Sequence, residues 1–170
     1  MHAVRTLSGC SGGVPARPLT RAVVVAFGSN LGDRRAQILA AAARVAEILA
    51  NFRLSTILET APVGAGTAHD PPYLNAVGVG ESALPARKLL EALQAIERDA
   101  GRTRPYPNAP RTLDLDLILV GEEMMEGEGF TLPHPRFRAR RFVLEPLAEI
   151  APDFRDPVTG LTIRQLLNRV

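Results

Sequence analysis

The 170-residue chain contains one cysteine, no tryptophan and only one lysine, and it has no long hydrophobic run. Because a disulfide needs two cysteines, the lone Cys10 excludes an internal bridge and is typical of a protein from a reducing compartment. A membrane-spanning helix needs about 20 consecutive apolar residues, which this sequence nowhere provides. We therefore expect a cytoplasmic protein that has no membrane partner.

Several familiar motifs are also missing. The Gly28–Asp33 turn, GSNLGD, has neither the Gly-Lys-Ser/Thr ending of a P-loop nor the GxGxxG spacing, so we interpret it as a tight turn and helix cap. No histidine and cysteine spacing fits a zinc site, and no Ser-His-Asp set can be argued. The sequence therefore offers no candidate for a covalent nucleophile or a zinc centre.

Charge of one sign does not dominate, since the formal net charge is +2, from 20 basic and 18 acidic residues. The basic residues are scattered except for arginines at 136–141, and no aromatic residues alternate with them in the stripe typical of RNA-binding proteins. We therefore expect no nucleic-acid partner. The length and the 46% hydrophobic content are those of one globular domain, which we expect to be a monomer.

Residues 1–20 are rich in glycine, serine, proline and arginine and show no apolar periodicity. Such a segment has nothing to bury, so we predict a disordered arm ahead of a single domain at 21–170. A shortened chain that begins at Arg21 should keep its melting temperature and its activity. A clear fall in either quantity would show that the arm packs on the domain.

The periodicity of the apolar residues predicts the order β-α-β-β-α-β, which is an α+β, ferredoxin-like core with a C-terminal extension. We expect strands at about 22–27, 52–60, 74–82 and 113–120, and helices at about 33–50 and 85–101. Long loops should occupy 61–72 and 103–110. The extension should add short helices near 137–149 and 162–169.

Two aspartates interrupt the last of these strands, in the segment PRTLDLDLIL at 110–119. If the segment is a strand, Asp114 and Asp116 leave the same face about 6–7 Å apart, and Leu113, Leu115 and Leu117 point to the other face. Paired carboxylates are suited to Mg²⁺, which binds one or two of them together with substrate phosphates. An edge strand that faces solvent would show the same spacing, so the pattern alone leaves both readings open.

Arginines lie just ahead of these aspartates, at Arg102, Arg104 and Arg111. The planar guanidinium group is suited to binding phosphate oxygens. Carboxylates for a metal and guanidinium groups for phosphates therefore occur within about fifteen residues, a combination that indicates phosphoryl-type transfer from a nucleotide.

Other polar residues each allow two interpretations. Tyr73 and Asn75 share a strand face and suit a flat heterocycle, but a core tyrosine and a strand-end asparagine look the same. Gln94 and Glu97 share one helix face, which is a ligand surface or simply a solvated face. His134, between two prolines, either binds a ligand or completes a turn.

Six segments, taken together and in order, resemble the 6-hydroxymethyl-7,8-dihydropterin pyrophosphokinase family of folate biosynthesis. They are GSNLGDR at 28–34, TAPVG at 60–64, YLNAV at 73–77, QAIERDAGRTR at 94–104, PRTLDLDLIL at 110–119 and LPHPRFRARRFVLEPL at 132–147. The combination of PRTLDLD with LPHP and RxFVLxPL is highly specific. The resemblance implies an enzyme that transfers pyrophosphate from ATP to the hydroxymethyl group of the reduced pterin and releases AMP.

The resemblance also implies a role for individual residues. The residues implied to hold two Mg²⁺ ions are Asp114 and Asp116, and those implied to bind the phosphates and aid transfer are Arg102 and Arg111. Besides these two arginines, the residues implied to surround ATP are Gln94, Glu97, Arg104, Leu117, Thr131, His134 and Arg140. The residues implied to form the pterin pocket are Tyr73 and Phe142 on the two ring faces, Asn75 at the ring edge, and Thr60 and Val63.

The segment at 104–111, RPYPNAPR, departs from the family, because many members have RWGPR there. Tyr106 and Asn108 are the candidates to replace the missing tryptophan. A second function also stays open at this point, since ferredoxin-like cores often serve as regulatory modules that bind small ligands without catalysis. Such a module would not need both aspartates together with Arg102 and Arg111.

Overall fold

The computed structural model describes residues 19–61, 71–101, 112–127 and 129–170. Most of the predicted arm and of the two predicted long loops lies outside these ranges. The core elements are β1 (Arg21–Ser29), α1 (Arg34–Ile48), β2 (Ala50–Leu54), β3 (Leu58–Thr60), β4 (Tyr73–Ser82), α2 (Ala86–Asp99) and β5 (Asp114–Val120). The extension has β6 (Met125–Gly127), β7 (Phe130–Leu132), a 3₁₀ turn (Phe137–Ala139), α3 (Arg141–Ile150) and α4 (Ile163–Leu167). No helix in the described ranges is both long and apolar enough to span a bilayer.

The strands form an antiparallel sheet in the order β2-β4-β1-β5, with β3 also paired to β4. The ferredoxin-like prediction is confirmed. The predicted turn at Gly28–Asp33 ends in a cap as expected, because Asp33 Oδ1 accepts a hydrogen bond from the Ala36 amide at 3.0 Å.

The structure corrects the sequence prediction in three places. The predicted strand at 52–60 is two short strands, because the Ser55 hydroxyl accepts from the Val77 amide at 2.9 Å and Thr56 bonds to Glu149 of α3. The β6–β7 hairpin was not predicted, since three-residue strands are too short to show alternation. The helix expected near 137–149 is also interrupted at Arg140, which lies between the 3₁₀ turn and α3.

Helices cover both faces of the sheet. On one face α1 and α2 pack on side chains such as Val25, Phe27 and Leu115, and on the other α3 and α4 pack on side chains such as Val77 and Ile118. Asp114 and Asp116 precede Ile118 on the α3 face, where the apolar cluster ends. The fold therefore leaves the two carboxylates beside the start of α3.

The C-terminal extension contains a buried ion pair between Arg138 and Asp156. The Asp156 carboxylate is 0% exposed and accepts from Arg138 Nε and Nη2, both at 2.7 Å, and from the Thr159 hydroxyl at 2.6 Å. Burial acts to raise the pKa of Asp156, but the hydrogen bonds from Arg138 and Thr159 outweigh it and lower the pKa below its usual value. The charged form is therefore the one that the fold stabilises.

This ion pair predicts a loss of stability in acid. Because the folded pKa is lowered, the stabilisation by Asp156 is present above the usual pKa of 3.8 and is lost as the pH falls through the folded value. Replacing Asp156 by asparagine should cost about 3 kcal/mol at neutral pH, since it leaves Arg138 without its counter-charge. Urea unfolding measures the free energy of unfolding of both proteins, and their difference should be smaller at pH 3 than at pH 7. An equal difference at both pH values would contradict the prediction.

Candidate functional site

The candidate site begins as a row of residues across three neighbouring strands. Gly28 in β1 is paired with Asn75 in β4 on one side and with Asp114 in β5 on the other. Cross-strand partners point to the same face of a sheet. The register thus brings the predicted amide and the first predicted carboxylate to opposite sides of a single glycine.

The absence of a side chain at Gly28 keeps this row open. A Cβ atom at Gly28 would lie 3.6 Å from Asn75 Oδ1 and 3.8 Å from Asp114 Cβ, which is ordinary contact distance on both sides. Any larger group would therefore fill the space between the amide and the carboxylate. The glycine leaves a gap in which a ligand can contact both.

The structure brings together the residues of β3 and β4 that the resemblance implies for a pterin pocket. Thr60 pairs with Tyr73, and the Asn75 side chain donates from Nδ2 to the Thr60 hydroxyl at 2.7 Å. This bond fixes the plane of a buried amide and directs Oδ1 towards Gly28. An amide held in one orientation can recognise the edge of a heterocycle that presents N–H donors.

The second carboxylate, Asp116, lies beside two basic side chains. Its Oδ2 atom is 3.3 Å from Arg140 Nη1 and 3.8 Å from His134 Nε2. Asp116 lies two residues after Asp114 in β5, on the same face, and is paired with Ala26 of β1. The structure therefore brings four of the predicted residues, Asp114, Asp116, His134 and Arg140, to one end of the sheet.

His134 is fixed by its own main chain. Its amide donates to the Ile118 carbonyl at 2.9 Å, and its Nδ1 atom accepts from the Arg136 amide at 3.2 Å. Burial lowers the pKa of His134, with Arg140 and Arg136 acting in the same direction and Asp116 opposing them. A neutral ring that accepts at Nδ1 carries its proton on Nε2, the atom that faces Asp116.

Phe142 lies in the first turn of α3 and packs against the apolar cluster on that face of the sheet. The Arg140 guanidinium carbon is 5.5 Å from the centre of the Phe142 ring. This is within the range of a cation–π contact. The residue implied for the pterin pocket and one implied for ATP are thus direct neighbours.

The other residues that the resemblance implies for ATP lie in different environments. Glu97 is 4% exposed, and its Oε1 atom accepts from the Leu115 amide at 2.7 Å, so it holds the outer edge of β5 rather than facing solvent. Gln94 is exposed on α2, and Thr131 is half-buried in β7. The Leu117 side chain lies in the core beneath α1 and α2, which leaves only its main chain for a ligand.

Two buried polar residues near the site were not singled out from the sequence. Ser29 donates to the Thr112 carbonyl at 2.6 Å, and Thr112 in turn donates to the Ala100 carbonyl at 3.0 Å. Ser29 and the neighbouring Asn30 are both buried. The available signal was a pair of polar residues at the end of a strand that begins with buried valines.

The predictions for Val63, Arg102, Arg104 and Arg111 concern residues outside the described ranges, as do those for Tyr106 and Asn108. In the part of the chain that the structure describes, no group of three or more His, Cys, Asp and Glu side chains could hold a metal. Two carboxylates on one strand face still fit Mg²⁺, because this ion takes its other ligands from water and substrate phosphates.

Comparison with known proteins shows which family the chain resembles. The family model of 7,8-dihydro-6-hydroxymethylpterin-pyrophosphokinase (HPPK) matches residues 24–152. The 2-amino-4-hydroxy-6-hydroxymethyldihydropteridine pyrophosphokinase of Pseudomonas aeruginosa is 44% identical over 138 residues, which cover 79% of this chain and 83% of the relative. The protein of the same name from Bacillus subtilis is 39% identical over 138 residues, with 80% and 81% covered.

A solved structure of wild-type Plasmodium falciparum HPPK-DHPS with SDX-DHP has a TM-score of 0.68 at 13% identity. The match covers 91% of this chain and 45% of that longer chain, so it supports the fold. The sequence matches identify the family that the motifs predicted. The chain belongs to the 7,8-dihydro-6-hydroxymethylpterin-pyrophosphokinase family.

Proposed function

We propose that this chain transfers pyrophosphate from ATP to the hydroxymethyl group of 6-hydroxymethyl-7,8-dihydropterin and releases AMP. The observation that carries the proposal is the row Asn75–Gly28–Asp114, which joins an oriented amide to a carboxylate across three strands. A regulatory module that only binds ligands is not favoured, because the relatives named above are pyrophosphokinases.

The pterin would bind over β4 and β1. Asn75 Oδ1, held by the bond to Thr60, would accept from an N–H of the ring edge. Tyr73 and Phe142 would lie against the two ring faces, where offset aromatic contacts are favourable. Val63 would complete the wall of this pocket. In this pose the gap at Gly28 directs the bound substrate towards Asp114.

Asp114 and Asp116 would hold the two Mg²⁺ ions that the family resemblance implies. When bound there, Mg²⁺ supplies positive charge that offsets the charge of the triphosphate. Arg140, now 3.3 Å from Asp116, would turn to the phosphates, and the Nε2–H group of His134 would donate to a phosphate oxygen. Arg102, Arg104 and Arg111 would add further positive charge. The transfer needs positioning and charge neutralisation more than a protein nucleophile.

The adenosine part of ATP would contact the remaining residues implied by the family, which are Gln94, Glu97, Leu117 and Thr131. Glu97 would act there by keeping the edge of β5 in place, since its carboxylate already accepts from the Leu115 amide. The monomeric state and the cytoplasmic location stay predictions.

Separation of the nucleotide products tests the proposal. Purified protein should convert ATP to AMP only when both Mg²⁺ and the hydroxymethyl pterin are present, and omission of either should abolish AMP. Formation of ADP in place of AMP, or of AMP without the pterin, would contradict the assigned reaction. Tight binding of both ligands without any product would instead support a regulatory module that binds ligands without catalysis.

A further inference from the structure

Two charged pairs that point in different directions hold the part of the segment that leads into Arg140 and Phe142. Arg140 reaches forward to Asp116 of β5 at 3.3 Å, and Arg138 reaches back to Asp156 of the extension at 2.7 Å. Arg138 lies within the 3₁₀ turn, which is closed by the Arg140 amide donating to the Phe137 carbonyl at 3.1 Å. The direction of Arg140 is therefore coupled through one short turn to the Arg138–Asp156 pair.

The turn has little freedom to shift as long as this pair is intact. The Phe137 side chain is fully buried in the cluster under α3, and the Arg138 guanidinium carbon is 4.8 Å from the centre of its ring. The two parallel bonds from Nε and Nη2 to Asp156 fix the plane of the guanidinium as well as its distance. A lysine could supply the charge but not this geometry.

Asp156 is itself held rigidly by its own loop. Its carboxylate also accepts from the Val158 and Thr159 amides, both at 3.3 Å, and its amide donates to the Leu161 carbonyl at 2.9 Å. The loop then enters α4, which packs on α3 and is capped by Thr162. Arg138 thus bonds to a fixed point in the fold.

Stability alone is a weak explanation for this arrangement. An ion pair with a buried member usually contributes no more to stability than well-packed apolar residues of the same size, because a charge must leave water, and here Asp156 is fully buried while Arg138 is 26% exposed. Its geometric specificity is the property that apolar residues cannot supply. We propose that Arg138 is a positioning residue, which with Asp156 aims Arg140 and Phe142 at the substrates. This role rests on the proposed function.

Kinetics of Arg138→Ala test the proposal. At a temperature well below melting, kcat/KM for ATP and for the pterin should fall by about tenfold or more, because a misplacement of about 1 Å can cost about 10²-fold. Arg138→Lys should recover only part of this loss. Arg141→Ala, which removes an exposed arginine three residues further on, should leave both constants unchanged.

A matched destabilised protein separates positioning from stability. Val45→Ala creates a cavity on the opposite face of the sheet, in the cluster under α1 and α2. It should lower the melting temperature without changing kcat/KM for ATP or for the pterin. If Arg138→Ala changes kcat/KM no more than Val45→Ala does, the positioning role is wrong. Should Arg138→Ala fail to fold, Arg138→Lys provides the same comparison.

Hydrogen exchange supplies a readout that does not need turnover. In Arg138→Ala the amides of Arg140, Val143 and Leu144, which bond within the turn and the start of α3, should exchange at least about tenfold faster than in the unaltered protein. Amides of the central strand β1 should not change. Unchanged exchange at all three would overturn the positioning role, whereas failure of the unaltered protein to make AMP would overturn only the reaction.

Discussion

Replacing Asp116 by asparagine should lower turnover by about 10³-fold or more while the protein stays folded. Removal of a single group that stabilises charge in a transition state commonly costs about 10²–10³-fold, and Asp116 has two tasks. It would hold Mg²⁺, and it already lies between Arg140 and His134. Without the negative charge of Asp116, Arg140 would lose its ion-pair partner. Initial rates at several Mg²⁺ concentrations, alongside circular dichroism, measure the effect.

Asp114→Asn should have a loss of similar size, since Asp114 is the carboxylate next to the gap at Gly28. A suitable control is Asp99→Asn, which removes an exposed aspartate of α2 that is paired with Arg44 of α1. The control should keep normal turnover. Near-normal turnover in either site variant would refute the metal assignment for that position.

Phe142→Ala should weaken binding of the pterin much more than binding of ATP. The aromatic contact contributes about 0.5–1.5 kcal/mol beyond burial, and truncation also opens the pocket, so we expect a loss of about 2 kcal/mol, or about 30-fold in Kd. The loss of the contact with Arg140 should change ATP binding less, because that contact is only one part of the nucleotide site. Isothermal titration with each ligand separates the two effects.

Phe52→Ala is the matched control for this experiment. The Phe52 ring packs on the ring of Phe27, with the two ring centres 6.4 Å apart. It lies in the cluster under α1 and α2, on the opposite face of the sheet from Phe142. It should lower stability and leave both affinities intact. Equal losses of pterin and ATP affinity in Phe142→Ala would show that the substitution disturbs the fold rather than one pocket.

Features that repeat along the chain were predictable. Apolar residues at helical spacing located α1 and α2, and the spacing of Asp114 and Asp116 placed both carboxylates on one strand face. The resemblance to the family then linked the two aspartates to Tyr73 and Asn75, which are distant from them in the sequence.

Contacts between distant segments were not predictable from local pattern. Nothing around Glu97 indicates that its carboxylate accepts from a strand amide 18 positions away. The split between β2 and β3 depends on bonds from Ser55 and Thr56 to other elements. The Arg138–Asp156 pair likewise joins residues 18 positions apart, and neither residue belongs to a periodic pattern in the sequence. Such pairs form only when the chain has folded.

The fate of the phosphorus atoms tests the central claim most directly. ATP that carries a radioactive label in its β-phosphate should be incubated with the protein, Mg²⁺ and the hydroxymethyl pterin, and the products separated. The account predicts that the label moves to the pterin and that the AMP formed is unlabelled. A labelled ADP together with an unlabelled pterin would show transfer of a single phosphoryl group and would contradict pyrophosphate transfer by this chain.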